Sequence, residues 1–285
     1  MTRGINLFTL FLFTCIIFSC TARNKDKVDR IGNSSFVPTG YQLVWNDEFD
    51  ATEVASFPDL TKWSYETGGG GWGNKELQYY VPAYYQKDTT AFVQNGILNI
   101  RAIKLEEPID SYQYISSRMT TKENWKYGYF EAKLKLPKGI GTWPAFWMLP
   151  VNLETWPLDG EIDIMEHVGS HPDSIHISIH TQKYNHAIGT QKTAILKIEK
   201  AQDEFHVYGL KWTPIDIKGF IDGVEYFSYT NDGIGDKETW PFDAPFNVKL
   251  NMAVGGGFGG QKGVDDSCFP ATYQIDYVRV YQKNN

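Results

Sequence analysis

Apolar and polar side chains alternate along most of this chain, the period-two pattern of β-strands with one buried and one solvated face. The alternation predicts strands over Tyr41–Trp45, Gly96–Ile103, Tyr127–Leu136, Ser174–His180, Phe205–Trp212, Ile215–Ile221, Phe246–Asn251 and Tyr273–Tyr281. Between Ile221 and Val224, Asp222-Gly223 has the chemistry of a two-residue hairpin turn. No long run keeps helical spacing, and the one segment expected to form a helical turn or two is Thr193–Ala201. Many alternating strands without interleaved helices predict an all-β fold, an antiparallel β-sandwich or jelly roll. The first and last strands, near Val44 and Val278, are expected to lie together and close a single domain over 40–285.

The pattern breaks once, at Glu161-Ile-Asp-Ile-Met-Glu166, where the third acid comes one place late. In a strand Glu161 and Asp163 share one face and Ile162 and Ile164 the other, with Glu166 out of phase. A β-bulge near Met165 adds the residue that restores the phase and brings all three acids to one face, with His167 turned to the core. On a helix Asp163, Glu166 and His167 would line up instead, as metal ligands sometimes do. The β-branched alternation and the bracketing Gly160 and Gly169 favour the strand. Three like charges side by side cost stability and add nothing to packing, so a fold that keeps them uses them.

Just upstream, Trp143, Ala145 and Trp147 fall on one face of Gly141–Leu149 and Pro144, Phe146 and Met148 on the other. Paired carboxyls can divide labour, one ionised as nucleophile and one held protonated as acid, as glycoside hydrolysis requires. Flat aromatic rings suit the apolar faces of sugars. Trp156 is open between core and cleft. The Gly-rich stretches Gly68–Gly73 and Gly255–Gly260 read as loops at a cleft, and neither has the form of a phosphate-binding loop.

Composition sharpens this picture in two places. Aromatics form 15% of the 285 residues, and 26 glycines with 13 prolines suit strands joined by tight turns. The net charge of −7 argues against a nucleic-acid partner. Residues 1–20 read as a signal peptide, with Arg3, an apolar run Ile5–Phe18 too short to span a membrane, and Ser19-Cys20. Ile17-Phe18-Ser19-Cys20 resembles a bacterial lipobox, a better match than Leu12-Phe13-Thr14-Cys15, and implies lipidation of Cys20. Polar residues 21–39 then form a flexible tether. An exported chain anchored by lipid to the bacterial envelope is expected, with Cys268 left without a disulfide partner.

These residues also carry a family resemblance. GTWPAFWMLP followed by GEIDIMEHVG is similar to glycoside hydrolase family 16, in the branch with a bulged E-x-D-x-x-E motif. Blocks from Tyr41 to Tyr281 follow the family in order, among them Trp45–Phe49, Gly71–Tyr79, Ser116–Met119, Asn251–Gly256 and Asp276–Val280. The resemblance implies a jelly roll with a concave substrate cleft and retaining endo-hydrolysis of a β-glucan. It makes Glu161 the nucleophile, Glu166 the acid/base and Asp163 the helper carboxylate. Trp143 and Trp147 match cleft aromatics, and Asn74, Arg118 and His180 match substrate contacts. Arg118 could equally serve a structural ion pair, and His180 could be an ordinary strand histidine. Glu48, Gly96 and Asp276 match a structural calcium site, whose oxygen ligands suit that ion; no cofactor for catalysis is implied. GWGNKELQYY with the bulged motif is similar to laminarinases, which cut β-1,3-glucan, and mixed-linkage 1,3-1,4-glucan stays open. The protein is expected to be a monomer, and the alternatives to the leading reading are a hydrolase of another β-linked polysaccharide, such as agarose, another galactan or lichenan, or a non-catalytic glycan-binding protein of the same fold. Intact Glu161, Asp163 and Glu166 weigh against the last.

Overall fold

The computed structural model describes Met1, residues 36–50 and residues 53–283. The apolar run Ile5–Phe18, Cys15, Cys20 and the tether as far as residue 35 lie outside the described residues. The strands in the first third are β1 (Tyr41–Asp47), β2 (Trp63–Tyr65), β3 (Gln78–Tyr80), β4 (Tyr84–Tyr85), β5 (Asp88–Thr89), β6 (Ala91–Gln94) and β7 (Ile97–Ile109). Next come β8 (Tyr112–Ser116), β9 (Arg118–Thr121), β10 (Gly128–Lys135), β11 (Thr142–Pro150), β12 (Glu161–His167) and β13 (Ser174–His180). The chain finishes with β14 (Lys192–Lys197), β15 (His206–Trp212), β16 (Asp216–Ile221), β17 (Val224–Thr230), β18 (Phe246–Val254) and β19 (Ala271–Lys283).

Two large sheets result. One runs β17-β16-β15-β10-β19-β7-β8-β3, with β1 on β19 and β6 on β7; the other runs β14-β13-β12-β11-β18-β9-β2. This is the all-β sandwich that the alternation predicts. Its pairs are antiparallel apart from β3 with β8, which run parallel. As expected, the first strand meets the last, with Asp47 opposite Val278. The Asp222-Gly223 hairpin forms with φ of 48° and 78°, the positive pair that a tight turn between twisted strands requires. Among the described residues no helix is long and apolar enough to cross a membrane.

Thr193–Ala201 corrects the helical expectation: Lys192–Lys197 is strand β14, paired with β13. Pairing with a neighbour's edge outweighs a weak local preference. The exposed Ile195, on the face away from Ala194 and Leu196, gave the segment its misleading pattern.

The core lies between the sheets and is built of large rings: Trp63, Phe130, Phe146, Trp212, Phe242 and Phe246 are fully buried. Ile162, Ile164 and Met165 join it from β12, and Pro144, Phe146 and Met148 face the same side from β11. The opposite face of β11 and β12 is therefore free to line a cleft.

Candidate active site

The acid strand holds the bulge. Across β11, Met165 pairs with Phe146 and Asp163 with Trp147, so Ile164 is the extra residue. Across β13, Asp163 pairs with Ser178 and Glu166 with His176, leaving Ile164 and Met165 together opposite Ile177. Both of these side chains are buried, at 1% and 0% exposure. Each buried side chain stabilises by roughly 1.5–3 kcal/mol, more than the roughly 0.5–1.5 kcal/mol of an interrupted ladder bond. The bulge is thus held from the core side, and Glu161, Asp163 and Glu166 emerge together on the cleft side. His167 returns to the core, where its Nδ1–H donates to the Ser174 carbonyl at 3.0 Å and Nε2 accepts from Gln202 at 3.1 Å. Burial pushes its pKa down to about 4, so it is neutral and uninvolved in the cleft.

Indole N–H groups hold the two outer acids. Trp156 Nε1 donates to Glu161 Oε2 at 3.0 Å, and Trp143 Nε1 donates to Glu166 Oε1 at 2.9 Å. Trp156, open between two readings in the sequence, is therefore a cleft residue. His180 sits opposite Glu161 on β13, with Nε2 3.1 Å from Asp163 Oδ2 and 3.8 Å from Glu161 Oε1. Burial pushes Glu161 up to about 8, with the charge of Asp163 adding to it. Glu166 is raised to about 8 by the same two causes in the same order. Asp163 is raised to about 8 by burial, offset in part by its contact with Glu161. Such a coupled cluster keeps protons near neutrality, which one ionised acid beside one protonated acid requires.

The cleft has two lobes, and the acids stand where they meet. One lobe, of about 330 Å³, is lined by Trp72, Arg118, Trp147, Trp156 and Asn251. The other, of about 600 Å³, is lined by His176, Gln191, Thr193 and Phe258. Asn74, Trp143, Glu161, Glu166 and His186 line both.

In the first lobe the Arg118 guanidinium lies between two indoles, 4.5 Å from the Trp72 ring and 4.7 Å from that of Trp147. Arg118 and Lys249 both bind Glu66, so the ion pair and the cleft contact are one arrangement. Trp147 Nε1 donates to Asn251 Oδ1 at 2.7 Å, Asn251 Nδ2 to the Tyr80 hydroxyl at 2.9 Å, and that hydroxyl to Glu76 Oε2 at 3.2 Å. Glu76 also accepts from Asn74 and Gln78. Trp147 and Asn74 are thereby tied through buried groups. Asn74 is also fixed through its backbone, since its carbonyl accepts from Gly257 N–H at 2.7 Å. This bond joins the two Gly-rich loops, as their expected place at the cleft suggests. Gly256, at φ 73°, comes so close that a Cβ would lie 2.9 Å from the Asn74 carbonyl.

Glu161, Asp163, Glu166, Asn74, Arg118, Trp143, Trp147 and His180 are thus brought into one place. Sequence reasoning missed Trp72, Glu76, His186, Asn251 and Phe258 as cleft residues. Trp72 and Glu76 stand in the block GWGNKELQYY, and a tryptophan beside glycines in a loop was the available signal.

The expected calcium residues lie elsewhere. Asp47 pairs with Val278 and Leu98 with Ile275, so Glu48 and Gly96 both run toward the neighbourhood of Asp276. The Glu48 carboxylate is taken by Arg279, at 2.8 and 2.9 Å, and Asp276 pairs with Lys133 at 2.8 Å. Each of these two carboxylates thus has a cationic side-chain partner in this structure.

Acids on a bulged strand, tryptophans beside them and a two-lobed cleft in a β-sandwich define a polysaccharide-cleaving glycosidase. The comparisons agree: the profile of glycosyl hydrolases family 16 matches residues 77–279, and the chain belongs to that family. It is 44% identical to a Beta-glucanase of Rhodothermus marinus over 96% of this chain and 94% of the other. It superposes on the X-ray structure of the laminarinase from Rhodothermus marinus with TM-score 0.80 at 45% identity, covering 86% of this chain and 98% of that one. Against SCLam, described as a non-specific endo-beta-1,3(4)-glucanase, the TM-score is 0.80 at 42% identity, with 87% and 93% covered.

The raised acids have a stability consequence with a definite sign. An unfolded Glu161 ionises near its ordinary value, whereas the folded one holds its proton to about 8. Its contribution to stability therefore falls as pH rises through that window. Glu161→Gln is expected to leave Tm nearly unchanged at about pH 4 and to raise it by roughly 2–8 °C at about pH 8, an effect of about 1–2 kcal/mol. Differential scanning fluorimetry across pH checks this, and a Tm gain that does not grow with pH would count against the buried-acid account.

Proposed function

We propose that this protein is a retaining endo-β-1,3-glucanase, with Glu161 as nucleophile, Glu166 as acid/base and Asp163 as the carboxylate between them. The observation that carries this reading is the position of the acids at the junction of two lobes, so that a polysaccharide chain runs past them on both sides. An end-acting enzyme needs one side closed.

In the first step Glu161 attacks the anomeric carbon and the bond to the glycosidic oxygen breaks as Glu166 gives that oxygen its proton. In the second step Glu166 takes a proton from water, whose oxygen displaces Glu161 from the same carbon. The indole N–H of Trp156 steadies Glu161 and that of Trp143 steadies Glu166. Burial, with the charge of Asp163 between them added, raises the pKa of both outer acids, and Glu166 is thereby kept a proton donor near neutrality. Preference for β-1,3 linkages is supported by the relatives named above, and tolerance of 1,3-1,4 linkages by the non-specific one.

The chain without residues 1–20 is expected to release reducing ends from laminarin, more slowly from lichenan and not from agarose. Glu161→Gln should lose at least about a thousand-fold of that rate. Early products followed by proton NMR should carry the β-anomer; α-anomer first would rule out double displacement, and binding of laminarin without cleavage would rule out the enzyme.

We propose further that any calcium is held by the backbone carbonyls of Glu48 and Gly96 with the Asp276 carboxylate, Glu48 keeping its side chain on Arg279. EDTA should then lower Tm with little change in the rate at low temperature, and an unchanged Tm would remove the ion. Export with a lipid on Cys20 completes the reading. Expressed in a bacterium, the full chain should partition into detergent after Triton X-114 phase separation. Cys20→Ser should send it to the aqueous phase, and a variant that stays with detergent would point to an uncleaved anchor or to Cys15.

A further inference from the structure

Glu161, Asp163 and His180 do more than face one another. Each offers one donor atom, and the three atoms lie within 4.8 Å of one another. Two edges of that triangle are 3.1 Å, from His180 Nε2 to Asp163 Oδ2, and 3.8 Å, from Nε2 to Glu161 Oε1. Four-coordinate zinc with bonds of about 2.0–2.1 Å places its ligand atoms roughly 3.3–3.4 Å apart. These two edges bracket that spacing, and the third, between Glu161 and Asp163, is at most 4.8 Å.

The donor atoms are also available. Asp163 and His180 are 4% and 5% exposed, and Asp163 Oδ2 has no hydrogen-bond partner among the described residues. Trp156 occupies the other oxygen of Glu161, Oε2, and leaves Oε1 toward His180. The His186 ring stands edge-on to that of His180, 5.1 Å away, and lines both lobes of the cleft. A fourth coordination position would open toward that cleft.

We propose that Glu161, Asp163 and His180 form a binding site for a divalent transition-metal ion of the zinc type, and that occupancy silences the enzyme. One imidazole with two carboxylates selects zinc, copper or nickel over calcium or magnesium. The ion would take the place of the protons held by two desolvated carboxyl groups. It would also engage the oxygen through which Glu161 attacks sugar. The inhibition rests on the catalytic reading above; the binding does not.

The test uses the chain lacking only residues 1–20, which leaves the compact unit Pro38–Asn285 whole. Zinc chloride is titrated in by calorimetry, and cobalt is added separately to read coordination from its visible spectrum. One zinc per chain is expected, with a tetrahedral cobalt spectrum and no comparable heat from magnesium. His180→Asn should weaken zinc by at least about 10-fold, and Glu161→Gln should do the same if the first variant folds poorly. Zinc should suppress laminarin hydrolysis reversibly, with EDTA restoring it, and Cys268→Ser should behave as the wild type, excluding the thiol. No binding at millimolar zinc, binding unaffected by both site variants, or binding that leaves hydrolysis intact would each overturn the proposal. A metal-free wild type that cleaves no glucan would overturn the catalytic reading instead, and calorimetry would still judge the site.

Discussion

Two consecutive side chains, Ile164 and Met165, enter the core opposite the single residue Ile177, and the arrangement of the cleft depends on that extra residue. Were the strand regular, with no bulge to absorb that residue, Glu166 would follow the alternation into the apolar interior and His167 would take its place outside. A one-residue shift exchanges every face of a strand. The correct register is enforced from both sides, since an unpaired carboxylate in the core costs several kcal/mol while Met165 gains by being there. Packing therefore selects the chemistry: the interior takes the apolar pair, and the acids are delivered to the cleft together.

The delivered acids are then kept in an environment that opposes their ionisation. Their close hydrogen-bond donors are indole N–H groups, which carry no charge. The strong cations of this region, Arg118 and Lys249, are bound to Glu66 and lie against the Trp147 ring. Placed beside Glu161 and Glu166 they would hold both acids ionised, and no proton donor would remain. Glu66 thus matters to the acids by occupying their competitors. Trp147 has a double part, as a wall for sugar and as a screen between cations and acids.

How much of this was legible beforehand follows from the range of each interaction. Strand positions, the Asp222-Gly223 turn and the bulge are local, and a few neighbouring residues suffice to predict them. Trp143 and Trp147 were readable because they share a strand with the residues that pack beneath them. Glu66, Glu76, Tyr80 and Asn251 carry no local mark. They meet because the sheet order sets β9, β18 and β11 side by side, with Glu76 bridged to Gly255 just past the end of β18. Strand β14 failed for the complementary reason: its identity comes from β13, and its own residues suit either state. Glu48 likewise takes its side-chain partner, Arg279, from the distant last strand.

The same desolvation that raises the pKa of Glu166 leaves Asp163 Oδ2 without a hydrogen bond at 3.1 Å from an imidazole nitrogen. A buried acceptor in that state is costly, because the water it gave up is not replaced. A well-satisfied Asp163, bonded by several donors, would be firmly ionised and would hold its neighbours differently. The under-satisfied one stays responsive to what enters the cleft, whether a sugar hydroxyl, a proton or a metal ion. The proposed catalysis and the proposed binding of a zinc-type ion therefore draw on one feature, the exclusion of permanent positive charge from the acid face of β12.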